Sequence, residues 1–160
     1  MKRYSDGYEI SKGTMAIFSA AHESYGSKIL DLSGEYFSEK IPMELIRSGC
    51  LDGGSTYEGR KKAVIYHTNI CEKIPIPISL LENIYAFPTH APIQFENVWI
   101  FYHHVKEIRP FKNKSIVVFK NNQTLELGVS FYVLKKQIER TAYCEFRFSQ
   151  GRTYNEGIGL

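Results

Sequence analysis

The run from Val98 through Trp99, Ile100, Phe101 and Tyr102 to Ile108 constrains this chain more than any other feature in it. Strand alternation puts Val98, Ile100 and Tyr102 on one face, and Trp99, Phe101 and Val105 on the other. Both faces are apolar, so the run predicts a central strand covered on both sides. A chain of 160 residues, 43% of them hydrophobic, has room for one core of that kind. Residues 1–148 are therefore expected to form a single domain. Residues 149–160 hold three glycines and read as a flexible C-terminal tail.

The remaining segments supply more strands and a few helices. Residues 8–12 and 14–19 read as two strands around Lys12-Gly13, and residues 28–32 as a third, after a surface loop over 21–27. Pro42 opens a short helix to Arg47, with Gly49 as its left-handed C-terminal residue. Ser55 and Glu58 have capping-box spacing, predicting a second short helix to Lys62, followed by a strand over 64–67. Pro75 and Pro77 hold residues 74–78 extended at a sheet edge. Residues 83–87 form a strand stopped by Pro88. Residues 115–120 and 123–127 flank Asn121-Asn122, a hairpin signal. A two-residue loop there pairs Val118 with Leu125, Ile116 with Leu127, Val117 with Glu126 and Phe119 with Thr124. Ser130 caps a longer helix whose apolar face carries Phe131, Leu134, Ile138 and Ala142. The fold class is α+β: strand-rich antiparallel sheet, two short helices in the middle and one longer C-terminal helix.

Enzyme signatures are missing, and no enzymatic activity is expected. Gly54 and Gly59 have phosphate-loop spacing, but Arg60-Lys61 follows where Lys-Ser/Thr is needed. There is no nucleophile elbow and no zinc-protease helix motif. Cys50, Cys71 and Cys144 lack metal spacing and read as reduced thiols, so neither a metal nor a cofactor is expected. His103 and His104, on a strand, would point to opposite faces and could not share one ion. The aromatic content, 14%, reads mainly as sheet packing. The apolar runs are too short to cross a membrane, and no leader-like segment opens the chain, so the expected compartment is the cytoplasm.

The net charge of +3 is mild. Its distribution says more. Residues 106–120 carry Lys106, Arg109, Lys112, Lys114 and Lys120 against Glu107 alone. A second basic knot, Arg60-Lys61-Lys62, follows Tyr57. Such clusters place several donors within reach of successive phosphates.

The stretch Cys50-Leu51-Asp52-Gly53-Gly54-Ser55-Thr56-Tyr57-Glu58-Gly59-Arg60-Lys61 resembles the motif of the ComK family of competence transcription factors. Three further matches follow in order. They are Ile84-Tyr85-Ala86-Phe87-Pro88-Thr89, then Trp99-Ile100 with His103-His104-Val105-Lys106-Glu107, then Thr124 to Leu127 through Ser130 to Arg140-Thr141-Ala142. The resemblance covers residues 8–145. It implies a sequence-specific activator of DNA-uptake genes that reads A/T-rich boxes in double-stranded DNA, largely through the minor groove. It also implies a homodimer or higher homo-oligomer associated with the nucleoid, and an adaptor that delivers it to a Clp protease. Two departures stand out. Lys73-Ile74-Pro75-Ile76-Pro77-Ile78 replaces the family's Lys-Pro-Pro-Ile. The chain ends at Leu160 where longer members continue, which reads as a short member without the usual extension.

The DNA-contact candidates are Tyr57, Arg60, Lys61, Lys62, Lys106, Arg109, Lys112 and Lys114. Arg60 is the first candidate for groove insertion, because a narrow A/T groove attracts Arg, and Tyr57 anchors its turn. The alternative is a ComK-like protein-interaction module, or a short paralogue with lost or altered DNA binding.

Overall fold

The computed structural model describes the backbone of residues 2–4 and 7–157, with side chains for residues 7–149. The Val98 run does enter the middle of a sheet, but as a shorter strand than expected. Strand β7, Val98–Phe101, lies between two neighbours in a seven-stranded sheet. The sheet is built from β1 (Lys2–Tyr4), β2 (Thr14–Ser19), β3 (Ser27–Asp31), β4 (Gly34–Ser38), β5 (Ile76–Ser79), β6 (Ile84–Pro88) and β7, in the order β1-β4-β3-β2-β7-β6-β5. All neighbours pair antiparallel except the parallel β1–β4 pair. After Phe101 the chain makes a single 3₁₀ turn, Tyr102–His104, and enters a second sheet. That sheet holds β8 (Val105–Phe111), β9 (Lys114–Phe119) and β10 (Thr124–Leu127), in the order β10-β9-β8. The expected continuous strand over 98–108 is therefore two strands in two sheets.

Alternation across the central strands creates two cores. Ile17, Ile29, Trp99 and Phe101 share one apolar cluster with α1 (Pro42–Asp52) and α2 (Tyr57–Thr68). Met15, Leu30, Phe87 and Ile100 share the other with Val117 and Phe119 of β9. Helix α3, Phe131–Gly157, contributes Leu134 to the second cluster and Cys144 to the first. The large sheet is thus covered by helices on one face and by the small sheet on the other, which is what two apolar faces demand. Gln137 fastens α3 across the layers. Its side-chain amide, 1% exposed, donates to the carbonyls of Lys73 and Pro88 at 2.8 and 2.7 Å. The α+β class stands. Helix backbone continues past residue 148, and the side chains of the expected tail beyond residue 149 lie outside the described ones.

Several local expectations are corrected. Residues 8–12 pair with no strand; they fold over the sheet end, where the Tyr8 hydroxyl reaches Thr14 Oγ1 at 2.6 Å and Asp31 Oδ2 at 2.7 Å. Helix α1 runs on to Asp52, so Gly49 lies inside it. A Cβ there would come within 3.0 Å of Ile10 Cδ1 and 3.2 Å of Ile78 Cγ2, so that glycine serves close packing. Residues 64–67 continue α2, which ends at Asn69 with φ 61°. Its β-branched pair Val64-Ile65 reads as strand until Tyr57 and Val64, two turns apart, are seen to share the buried face. In the β9–β10 hairpin Val117 faces Leu125 and Val118 faces Thr124, one residue away from the expected register. The loop holds three residues, with Asn122 left-handed at φ 72° and its N–H bonded to the Phe119 carbonyl.

Candidate nucleic-acid interface

The two basic clusters rest on very different local structure. The first lies at the α1–α2 turn. Gly53 ends α1 so close to β5 that a Cβ would stand 2.0 Å from the Ile78 carbonyl oxygen. Gly54 follows with φ 100°, a conformation that favours glycine. Thr56, one residue beyond the expected cap Ser55, accepts from the Gly59 N–H at 2.9 Å. A Cβ on Gly59 would come within 3.0 Å of that Thr56 oxygen. Glu58 does not close a capping box; its carboxylate pairs with Arg47, and that hydrogen bond holds it below the usual carboxylate range.

Tyr57 is 6% exposed, so it anchors the turn as expected. Burial raises its phenol pKa, partly opposed by Arg47, whose guanidinium sits 5.0 Å from the ring centroid. Arg60 is half-buried. Its Nη2 donates to the Gly53 carbonyl at 2.8 Å, and its enclosed Nε has no hydrogen-bond partner among the described residues. That hydrogen bond ties one donor of the Arg60 guanidinium to the turn. Lys61 and Lys62 are exposed, with the Lys61 ammonium 6.0 Å from the Tyr57 ring centroid. Nearly every unusual residue of the stretch from Cys50 to Lys61 is thus explained by the architecture of one turn.

The second cluster lies on the β8–β9 hairpin. Val105 and Ile108 pack against the second core, and Ser115 Oγ donates to the Val129 carbonyl at 2.8 Å, so the hairpin base is fixed. From residue 109 to residue 114 every residue is exposed. The cross-strand partners are Arg109 with Ile116, Pro110 with Ser115 and Phe111 with Lys114, leaving Lys112 and Asn113 as a two-residue loop. Lys112 has φ 54°, a left-handed conformation uncommon for a residue with a side chain. Pro110 is tolerated because β8 is an edge strand, and a lysine-bearing edge also discourages sheet-to-sheet association.

The cations here are held loosely. Arg109 pairs with Glu107, Lys114 lies 3.7 Å from Glu126, and Lys106 donates to the Asn122 side chain at 3.3 Å. The Lys112 ammonium sits 5.5 Å from the Phe111 ring centroid. Exposed ion pairs of this kind contribute only about 0–1 kcal/mol each, so they open readily for a competing anion.

The structure separates the clusters. Tyr57 and Val64 place α2 against one face of the large sheet, while Val117 and Phe119 place the hairpin base against the other. Sequence reasoning missed the hairpin tip itself, with Lys112 and Asn113 as its loop and Pro110 and Phe111 leading into it. The signal was present: a proline at a strand end and an asparagine three residues before the next apolar run, which starts at Ile116. The His103-His104 pair lies on the 3₁₀ turn, not a strand. His103 pairs with Glu145, and His104 Nε2 lies 2.6 Å from the Lys12 carbonyl oxygen. Among the described residues no group of three or more His, Cys, Asp or Glu could hold a metal ion. Among them, too, no helix is long and apolar enough to cross a membrane.

Comparison with known proteins brings a family into view. The sequence model of the family described as ComK protein matches residues 5–153. The chain is 29% identical over 145 residues to the competence transcription factor of Bacillus subtilis (strain 168), covering 89% of this chain and 76% of that protein. No solved structure matches.

Proposed function

The chain belongs to the ComK family, and from that premise we propose that it is a sequence-specific, double-stranded DNA-binding activator of competence genes that reads A/T-rich boxes mainly through the minor groove. A role as a transcription regulator follows from the family itself. The observation that supports the DNA-reading step is the run of six exposed residues from 109 to 114, with three cations on a fixed two-stranded arm. A narrow A/T minor groove does not admit the ribbon itself but can admit side chains from its tip, and the deep negative potential there favours Arg and Lys.

In this reading Arg109, Lys112 and Lys114 make the leading contacts, with Lys106 on a flanking phosphate. Lys61 and Lys62, in the opposite layer, serve a second duplex segment or none. Arg60 and Tyr57 act through the shape of the turn. The homo-oligomer, the adaptor-delivered proteolysis and a place at the nucleoid are proposed on the family resemblance alone.

The test is a binding titration against A/T-rich and G/C-rich duplexes across salt concentrations. If Lys106, Arg109, Lys112 and Lys114 each neutralise one phosphate, log K should fall with log[salt] at a slope of about −3.6. A/T-rich duplexes should bind tighter throughout. A flat titration would overturn the reading. It would favour the interaction-module alternative, for which the exposed Ile41, Ile93 and Phe95, lining one groove, are the observation.

A further inference from the structure

We propose that two copies of this chain pair through the apolar face formed by Ile41, at the start of α1, with Ile93 and Phe95 of the β6–β7 loop, each copy's Ile93 seating in the other's groove. The inference rests on the homo-oligomer of the reading above and deepens it by naming the surface.

Ile41, Ile93 and Phe95 are 51, 90 and 59% exposed, and with Pro42 and Met43 they line one groove of about 340 Å³. The face offers apolar surface on the order of 400 Å², a size at which a contiguous patch marks an interaction site. One side of a standard interface buries about 800 Å², somewhat more than half of it apolar. The face therefore supplies most of the apolar area that a stable pair needs, and its rim supplies the polar remainder.

The loop holds that face still. Thr89 and Asn97, each 2% exposed, close it at the base. Asn97 Oδ1 accepts from the N–H groups of Thr89 and His90 at 2.9 and 3.0 Å, and Thr89 Oγ1 accepts from the Val98 N–H at 3.0 Å. Within the loop the Gln94 N–H donates to the Ala91 carbonyl at 2.9 Å, and the Asn97 N–H to the Gln94 carbonyl at 3.1 Å. A buried polar frame thus turns Ile93 outward. Ile41, Ile93 and Phe95 belong to neither core cluster, so in a lone copy their exposure adds nothing to the core. A loop already fixed in place loses little entropy when it docks.

The chemistry of the face selects the occupant. Of the described residues that line the groove Arg47 alone is charged, and it pairs with Glu58. One engaged cation is a poor match for a phosphate backbone or a charged peptide. A second face of the same character fits instead, and this chain carries knob and groove side by side. A twofold axis then sets Ile93 of each copy against Ile41 of the other and closes the contact. No lining residue of the groove belongs to β8 or β9, so the pair keeps two hairpin tips for DNA.

Sedimentation of the full chain without DNA is the test. The wild type should form a dimer at micromolar concentrations. Ile93→Asp should weaken pairing on the order of 100-fold, and Phe95→Ser by about tenfold. Leu81→Ser, at a side chain 92% exposed but outside the groove, should change nothing. Melting curves at dilution, where every chain is a single copy, should match the wild type. Ile41→Lys should also sediment as a single copy, and mixing it with Ile93→Asp should recover a mixed dimer, since one half of the twofold contact stays native and the other sets Lys against Asp. A wild-type dimer that survives both Ile93→Asp and Phe95→Ser overturns this face and leaves the homo-oligomer standing. A mixture that recovers no dimer overturns the seating of Ile93 against Ile41. A wild type that is a single copy at every concentration overturns the homo-oligomer and the pairing together and gives the face to a different protein, while the DNA titration is read independently.

Discussion

The α1–α2 turn and the β8–β9 tip each carry three basic residues within six positions, yet they have opposite physical characters. At the turn, the glycines permit backbone approaches that no side chain would allow, Tyr57 is buried, and Arg60 is half-buried with one donor on the Gly53 carbonyl. At the tip, six successive residues are exposed and the cations meet only surface carboxylates, a side-chain amide and one ring. Charge density along a sequence therefore does not measure the charge available to a partner. At the turn the backbone has claimed a donor of Arg60 while Lys61 and Lys62 stay exposed, so availability differs residue by residue within one cluster.

The comparison is most directly broken by removing the charge of each region in turn. The triple variant Arg109→Ala, Lys112→Ala and Lys114→Ala should weaken DNA binding on the order of 10²-fold, if each contact is worth roughly 1 kcal/mol. Its salt slope should become shallower by about 2.7 units, and its melting temperature should stay close to the parent's. A triple variant with unchanged salt slope would hand the interface back to the α2 layer.

Arg60→Ala should behave in the reverse way. Losing a charged hydrogen bond at a half-buried site costs about 1–3 kcal/mol, so calorimetry or a denaturant titration should show a clear loss of stability. The salt slope of the protein that remains folded should not change. An Arg60→Ala protein with parental melting and a slope shallower by about one unit would make Arg60 a DNA contact after all.

Smaller effects come from the carboxylates that quiet the tip. Glu107→Gln and Glu126→Gln release Arg109 and Lys114 from exposed pairs worth about 0–1 kcal/mol each, so each should tighten DNA binding by a few-fold at low salt. The gain should vanish as salt rises, measured by fluorescence anisotropy. Weaker binding in either variant would mean that the pairs orient the cations rather than compete for them.

These outcomes also show where sequence reading reaches its limit. The two-faced run at Val98 gave the layered architecture because burial on both sides is a property of side chains alone. It did not show that the chain leaves the sheet at Tyr102, because Tyr102 and Val105 continue the apolar alternation across that 3₁₀ turn before the charged Lys106 and Glu107 begin. The hairpin at Asn121-Asn122 was legible as a hairpin, but its register turned on whether Lys120 joined the loop, a single-residue choice that flips every side chain. The cap fell on Thr56 rather than Ser55 because either hydroxyl can accept, and Gly59 is what allows the closer approach. The fastening by Gln137 was invisible, because its two acceptors lie 64 and 49 residues away in sequence. For the site, the basic residues were legible and their accessibility was not.

The smallest and most discriminating expectation concerns Cys50, which is fully buried and lies close enough to feel the charges of Arg60 and Arg47. Burial pushes its thiol up to about 11, and those two arginines partly oppose the shift. In the unfolded chain the same thiol ionises near 8.5. A raised folded value means that the native state keeps a proton the unfolded state gives up. The resulting stabilisation is fully present below about pH 8.5 and is lost as pH rises toward 11. The melting temperature should accordingly fall over that window. At pH 8 Cys50 should resist a thiol reagent while the exposed Cys71 reacts. Arg60→Ala then sharpens the comparison. If Arg60 contributed only its charge, removing it would raise the Cys50 pKa further and protect the thiol more. If Arg60 holds the turn closed, its loss opens the cover over Cys50, the thiol moves back toward its ordinary value, and a second cysteine becomes reactive at pH 8. Mass-resolved labelling of Cys50 in Arg60→Ala distinguishes the two, and the hydrogen bond to Gly53 predicts the second.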